Sequence, residues 1–445
     1  MTTHAFLSTT LASTLLIAGL AAPAVAQSAV EADSATQVRV GGRLQLMGLA
    51  EWLQQEQFRS QGRVFAFLKQ SRLDVSASVG EYDFYSQLAL GGEDVYTNNV
   101  NLTLLDMFAT GPLLDVATWR LGQFRVPYGR ELMTNGGNMA FWDRSITSPF
   151  FQMGRDVGAA LEGDVGPANV IGGVFLGGGR DVPQRYLPEI LGIPLVAARV
   201  TFGDLEEDTF NLSQHAGLDA DRTRQGVGFS GFFTRDSRVG HSTVLNVKNS
   251  FEKNLLLSAG WNPYIGKKDP ATGEAPQGQF WQAGVDYAAR TPFHNGTLTG
   301  EAELNYGNFA NTFGSLGALG GRSQVGFHRN PYEVALRYAL VVPDARMAAT
   351  NATAGPSLGQ TTAITPDGSP IQELTPAFTY FLNGDKLKLV VDLPILINAP
   401  IVTENKIGSY NMINQPDQTG LLTNPANTLS RQVVFQLRAG VQYAF

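Results

Sequence analysis

The last fifteen residues, Arg431 to Phe445, constrain the fold most because apolar and polar side chains alternate along them. One parity is apolar: Phe445, Tyr443, Val441, Ala439, Leu437, Phe435 and Val433. The other is mostly polar: Gln442, Gly440, Arg438, Gln436 and Gln432. A strand points alternate side chains to opposite faces. The pattern predicts the closing strand of a transmembrane β-barrel, apolar toward lipid and polar toward a wet lumen. The alternative is an edge strand of a soluble sheet, but soluble strands usually span only about five or six residues.

The N-terminal end of the chain indicates export. Residues 11–26 are apolar and small, and they end in Ala24-Val25-Ala26, a typical signal-peptidase site. The stretch is too short to span a membrane as a helix. We therefore predict a signal peptide over 1–26 that is cleaved after Ala26, a short periplasmic segment over 27–37, and a barrel over 38–445. After Gln27 we find no run of about eighteen apolar residues, so helical membrane spans are not expected.

The composition narrows the class of protein further. Forty-nine Gly, 10% aromatic and only 16% charged residues suit many strands and turns. A chain without Cys has no disulfide framework and no thiolate metal site. Its five His lie far apart, so neither a metal nor a cofactor is expected. The net charge of −7 argues against a nucleic-acid partner.

Alternating segments recur from residue 38 onward and number eighteen. Alternation is weak in two of them, 226–235 and 241–249, which can instead belong to one outer-loop excursion. Sixteen strands are therefore favoured, in an all-β antiparallel barrel. The clearest inner segments are 296–309 and 332–343, where apolar residues alternate with polar ones.

Connections alternate between short turns and long loops, as in outer-membrane barrels. The long ones cover 126–155, 178–193, 265–278, 310–320, 344–371 and 394–430. One exception is 204–225, which is long and acidic yet falls on the side of the short turns. We predict a solvated loop there.

The third long loop should carry function, because a wide barrel needs a narrowing to discriminate between solutes. Between Arg125 and Arg155 it combines a positive balance with aromatic residues too apolar for a fully solvated loop. We predict that it folds into the lumen. Four arginines are candidates for anion binding at the constriction, since guanidinium pairs with phosphate or carboxylate as a planar fork: Arg125, Arg130, Arg144 and Arg155. The alternative is that each arginine pins the loop to the wall.

Strand parity also predicts charged residues that line the pore. Four are cationic and two acidic: Arg39, Arg43, Arg199, Arg337, Glu301 and Glu303. Two carboxylates on alternate positions of one strand would repel an incoming anion, so the charge pattern alone leaves the preferred ion open.

Several motifs together resemble the phosphate-selective porin O and P family: GRLQL (42–46), GQFRVPYGREL (122–132), FWDRS (141–145), GRDVG (154–158), YEVALRYAL (332–340) and TYFLNGDKLKLVVDL (379–393). The resemblance spans nearly the whole chain after the signal peptide. It implies a sixteen-stranded homotrimeric porin of the Gram-negative outer membrane whose loop after the fifth strand folds inward.

We therefore expect an outer-membrane channel in contact with lipid, for diffusion of small hydrophilic solutes or inorganic anions. A dedicated phosphate-selective channel is one alternative. The other is a barrel hydrolase, which would need a nucleophile, a base and an orienting acid held together.

Overall fold

The computed structural model describes residues 36–53, 62–92, 102–114, 116–151, 153–177, 179, 193–205, 210, 212–215, 221–236, 256, 264, 269–273, 276–347, 369–398 and 433–445. The predicted signal peptide and the start of the predicted periplasmic segment lie outside these residues. No helix in this part of the chain is long and apolar enough to cross a membrane.

The described chain forms one antiparallel sheet. Its strands are β1 Thr36–Leu53, β2 Gly62–Val79, β3 Tyr82–Gly92, β4 Thr103–Leu113, β5 Ala117–Arg125, β6 Arg155–Val165, β7 Ala168–Phe175, β8 Ile193–Gly203, β9 Arg224–Asp236, β10 Gly278–Phe293, β11 Gly296–Asn311, β12 Gly314–Arg329, β13 Tyr332–Pro343, β14 Ile371–Asn383, β15 Leu387–Asp392, β16 Ile395–Ile397 and β17 Val433–Ala444. Two short helices lie between β5 and β6: α1 Arg130–Met133 and α2 Ser148–Phe151.

The sheet closes on itself, because β1 pairs with β2 on one side and with β17 on the other. Strands β15 and β16 both pair with β14 and β17, so they share one position in the wall. The interruption falls at Leu393 and Pro394, whose backbones still bond to Pro376 and Gln436. The wall is therefore a closed barrel of sixteen strands, as predicted.

One interpretation from the sequence, that residues 226–235 belong to an outer excursion, was wrong. Residues 226–235 belong to the wall as β9, which pairs directly with β10. The barrel therefore closes without the predicted strands 241–249 and 254–264, which lie outside the described residues except for Leu256 and Tyr264. The first strand also begins at Thr36, two residues before the predicted start of the barrel.

The predicted long connection 310–320 is instead a tight turn, because Asn311 pairs with Gly314 at the join of β11 and β12. The Asn311 side chain accepts a hydrogen bond from the Phe313 amide at 2.9 Å, which favours the turn. The glycines of residues 314–321 belong to β12 and leave room for neighbouring side chains. A Cβ at Gly320 would lie 2.2 Å from the Phe151 ring, so the glycine leaves room for a residue inside the barrel.

Side chains divide between the two faces as the alternation predicts. On β11, Leu304 and Tyr306 point outward and are 51% and 40% exposed, whereas Glu303 and Asn305 point inward and are buried. On β17, Gln436, Arg438 and Gln442 point inward. An apolar outer surface of this extent is stable against lipid rather than water, so the sheet is a transmembrane barrel.

Candidate functional site

The segment 126–154, called here the inner loop, folds into the barrel as predicted. Its Tyr128 hydroxyl donates to Asn305 Oδ1 of β11 at 2.8 Å, and the Gly129 amide donates to Ser230 Oγ of β9 at 3.0 Å. Farther along, the Trp142 indole donates to the Val390 carbonyl of β15 at 2.9 Å. The loop is thus attached to the inward face of strands distributed around the wall.

The four aromatic residues that indicated inward folding are all buried: Phe141, Trp142, Phe150 and Phe151. Phe150 and Phe151 pack in an apolar core with wall residues such as Phe280 and Leu316. The Phe141 ring lies under the Arg337 guanidinium, with 4.2 Å between the guanidinium carbon and the ring centroid. Apolar burial against the wall therefore holds the loop across the lumen.

A group of charged residues, called here the acid cluster, forms where the loop meets β11, β12 and β13. It contains Glu131, Glu301, Glu303, Arg130, Arg322 and Arg337. Arg322 Nη2 lies 3.0 Å from Glu301 and 3.2 Å from Glu303, and Arg130 Nε donates to Glu301 at 3.0 Å. The predicted acids Glu301 and Glu303 are thus buried and paired with arginines.

Glu131 lies at the centre of the acid cluster. It accepts hydrogen bonds from the Ser145 amide at 2.8 Å and from the Ser145 and Ser148 hydroxyls at 2.6 and 2.8 Å. The Glu131 amide donates to Glu303 at 3.0 Å. These contacts fold the loop back on itself, because a buried carboxylate must have its hydrogen bonds satisfied.

Beside the acid cluster, four arginines form a second group, called here the arginine row: Arg72, Arg125, Arg144 and Arg155. Arg72 and Arg155 donate to the same Gln87 Oε1, at 3.4 and 3.2 Å. Arg155 lies directly opposite Arg125 across the β5–β6 pair.

Arg125 and Arg144 meet at the end of α1. Both donate to the carbonyls of Leu132 and Thr134, at distances between 3.0 and 3.5 Å. The carbonyls at a helix end lack intrahelical partners and carry partial negative charge, which is why guanidinium groups bind there. Arg125, Arg144 and Arg155 remain partly exposed to solvent.

The arginine row contacts a carboxylate at one end, where Asp106 accepts from Arg155 Nε at 2.9 Å. Arg144 experiences attraction from Glu131 and Asp143 and repulsion from Arg155 and Arg72. Burial, together with this repulsion, lowers the pKa of Arg144 to about 10, so the guanidinium keeps its charge at neutral pH.

The remaining predicted residues lie elsewhere. Arg43 Nη1 donates to Asn135 Oδ1 of the inner loop at 2.7 Å. Arg199 forms a two-pronged pair with Asp286 at 2.6 and 2.8 Å and is 1% exposed, so it braces the wall. Arg39 is exposed near the start of β1, beside Gln37. Of the four predicted loop arginines, Arg130 thus joins the acid cluster, while the other three join the arginine row.

Sequence reasoning did not single out several residues that position the loop. Asp143 is paired with Lys69 and lies 2.6 Å from Arg438, which also binds Asp392. Arg322 of the acid cluster was likewise missed. Strand parity was the signal that could have found Arg322 and Asp392, because both occupy inward positions. No group of three or more His, Asp or Glu in the described part of the chain is placed to hold a metal.

A second segment approaches the inner loop from the end of the barrel where the short turns lie. Residues Leu212–His215, called here the inner turn segment, belong to the β8–β9 connection, and three of the four are buried. The Asn135 amide donates to the Leu212 carbonyl at 2.9 Å, and the Gln214 amide donates to the Asn138 carbonyl at 2.8 Å. The prediction of a solvated loop was wrong for these residues, although Asp204, Asp221 and Arg222 in the same connection are partly or fully exposed.

Comparison with known proteins gives a fold but not a family. No family model matches the chain, and no curated protein matches it in sequence. Membership of the phosphate-selective porin O and P family therefore stays a prediction.

Solved structures do match. An anion-selective porin from Comamonas acidovorans is 13% identical with a TM-score of 0.53, over 92% of this chain and 100% of that one. The outer membrane channel DcaP of Acinetobacter baumannii is 12% identical with a TM-score of 0.47, over 94% and 99% of the two chains. OmpT, an outer membrane protein of Vibrio cholerae, is 9% identical with a TM-score of 0.48, over 94% and 100%. At 13% identity, the first of these likenesses shows a shared barrel fold alone.

Proposed function

We propose that the chain is an outer-membrane porin, a water-filled channel for passive diffusion of small hydrophilic solutes that favours anions. The arginine row is the observation that carries this proposal. A sixteen-stranded barrel is wide enough to enclose an aqueous channel, and the inner loop occupies part of its lumen. The partly exposed guanidiniums at the edge of that loop border the space that a solute would use.

The uneven placement of charge explains why anions would be favoured. The acid cluster holds its glutamates buried against Arg130, Arg322 and Arg337. The arginine row brings four guanidiniums together, and one of them, Arg155, pairs with Asp106. Because guanidinium stays charged and offers a planar fork of donors, the row attracts chloride, phosphate and carboxylate and repels cations.

Reversal potentials in planar bilayers across a salt gradient test the charge preference. Arg144→Gln should lower the ratio of anion to cation permeability by about twofold to fivefold, because one nearby charge changes an ion's energy by up to about 1 kcal/mol. Asp106→Asn should raise the ratio, because it removes a negative charge that lies 2.8 Å from Arg155. Arg346→Gln is the matched control, because Arg346 pairs with Asp344 in an exposed position after β13.

Three results would contradict parts of the proposal. A silent bilayer at high protein dose would reject the channel and reopen the barrel-hydrolase alternative. Cation preference in the unaltered protein would reject the role of the arginine row while leaving the porin. If Arg144→Gln and Arg346→Gln changed the permeability ratio equally, the role of the arginine row would likewise be rejected. Phosphate added to a chloride bath tests the dedicated phosphate channel, which requires block of the current at low phosphate concentration.

The proposed setting is the Gram-negative outer membrane, with the short turns toward the periplasm. A homotrimer is part of the same proposal, on the strength of the motif resemblance. Light scattering of the detergent-extracted protein, corrected for bound detergent, measures its oligomeric state directly.

A further inference from the structure

The β8–β9 connection is far longer than closure of the barrel requires. Gly203 pairs with Gly226, and the Asp204 amide donates to the Gln225 carbonyl at 3.0 Å, so the two strands already approach as a hairpin. A two-residue turn between Asp204 and Gln225 would complete that hairpin. Most of the β8–β9 connection is therefore not needed to close the barrel wall.

Part of this extra length joins the inner loop as an added stretch of β-structure. Leu212 forms a parallel bridge with Thr134, and backbone hydrogen bonds flank it on both sides. The Gln214 side chain adds a bond of 3.2 Å from the Ala140 amide. Backbone groups buried in a lumen need partners, and here each of the two segments satisfies groups of the other.

The wall holds the inner turn segment through His215. Its Nδ1 lies 2.9 Å from Glu333 of β13, and its Nε2 lies 2.7 Å from Lys388 Nζ of β15. Lys388 Nζ also donates to the Gly137 carbonyl of the inner loop at 2.7 Å. One buried wall lysine thus binds both segments, which fixes their relative position.

We infer that the inner turn segment is a second constriction element that enters from the periplasmic end and, with the inner loop, sets the largest solute that passes. This inference rests on the proposed porin function. The segment lies against Thr134, Asn135 and Asn138, at the edge of the loop that faces Arg43 and the arginine row. Removing it widens the lumen there and removes a support for the carbonyl-bearing end of α1.

A shortened protein tests the inference. Residues 205–224 are replaced by Asn-Gly, so that Asp204 and Gln225 flank a tight hairpin turn. Single-channel conductance should rise by about twofold, because conductance follows the narrowest cross-section. Liposome-swelling assays should show faster entry of larger neutral sugars. Arg222→Gln is the matched control, because this exposed side chain pairs with Asp204 and should leave conductance unchanged.

The outcomes separate the inference from the function on which it rests. Equal conductance in the shortened and unaltered proteins would overturn the inference alone. A silent bilayer for both proteins would overturn the porin function and the inference with it. Heat-modifiable migration on gels establishes that each protein tested is a folded barrel.

Cross-linking tests the position of the segment without any reliance on conduction. The chain has no Cys, so Thr134→Cys/Leu212→Cys introduces the only pair of thiols. Partners in a parallel bridge lie within the Cα separation of about 4.4–6.8 Å that a disulfide requires. Oxidation of the folded barrel should link them, whereas the control pair Thr134→Cys/Arg222→Cys should stay reduced. Absence of the Thr134–Leu212 link in the folded barrel would overturn the inference.

Discussion

At the scale of single residues, the direction of a side chain and the environment it meets are separate questions. Alternation places Glu301 and Glu303 on the polar face of β11, and both are buried in the structure. It could not show that Arg322, on the neighbouring strand β12, lies 3.0 and 3.2 Å from them. A charged residue at an inward position therefore indicates a lining residue only after its partners are known.

Arg322 should be among the most sensitive positions for stability. Its side chain is fully buried and lies within 3.7 Å of Glu131, Glu301 and Glu303. Arg322→Gln leaves those carboxylates without their shared cation, which costs about 3–5 kcal/mol for a buried pair. Urea unfolding of the protein in lipid vesicles measures the change.

Arg222→Gln is the comparison for Arg322→Gln, because its exposed ion pair at 3.4 Å is worth about 0–1 kcal/mol. If both variants unfolded at the same urea concentration, the acid cluster would not be the anchor that its contacts indicate.

At the scale of elements, the sequence was most informative where one face of a strand meets lipid. Segments such as β11, β13 and β17 are apolar on every second residue, and their bounds were predicted closely. The start of β12 was missed because its glycines resemble a loop and serve to accommodate Phe151. The inner turn segment was missed because its partner, the inner loop, is distant in sequence and arrives from the other end of the barrel.

Closure of the barrel by β1 and β17 should depend on Gly440. A Cβ there would lie 2.1 Å from the Leu46 carbonyl oxygen and 2.7 Å from the Trp142 ring. Gly440→Ala therefore forces apart either the closing strand pair or the inner loop, at a cost of about 1–3 kcal/mol for overpacking. The yield of heat-modifiable barrel after refolding reports the loss.

Gly300→Ala is the matched substitution, because a Cβ at this β11 position meets nothing within 4 Å. It should refold as the unaltered protein does. A Gly440→Ala protein that refolded equally well would show that the closing strands tolerate more separation than their contacts indicate.

At the scale of the whole molecule, the inner loop contributes to two groups of charged residues. In the acid cluster, Arg130, Arg322 and Arg337 pair with buried glutamates and hold the loop to β11, β12 and β13. The arginine row is the other group, and in the proposed function it borders the path of a solute. Composition alone does not indicate where the positive charges lie. The whole chain carries a net charge of −7, whereas cations border the proposed path.

An electrostatic preference of this kind should weaken as salt is added. The Debye length is about 10 Å at 0.1 M and about 3 Å at 1 M, so the field of the arginine row reaches less of the lumen at high salt. The ratio of anion to cation permeability should therefore be larger at 0.1 M than at 1 M. Arg144→Gln/Arg155→Gln should show a lower ratio with a flatter dependence on salt, because it removes two of the four charges in the row. A ratio that stayed constant across this range in the unaltered protein would mean that size rather than charge governs passage.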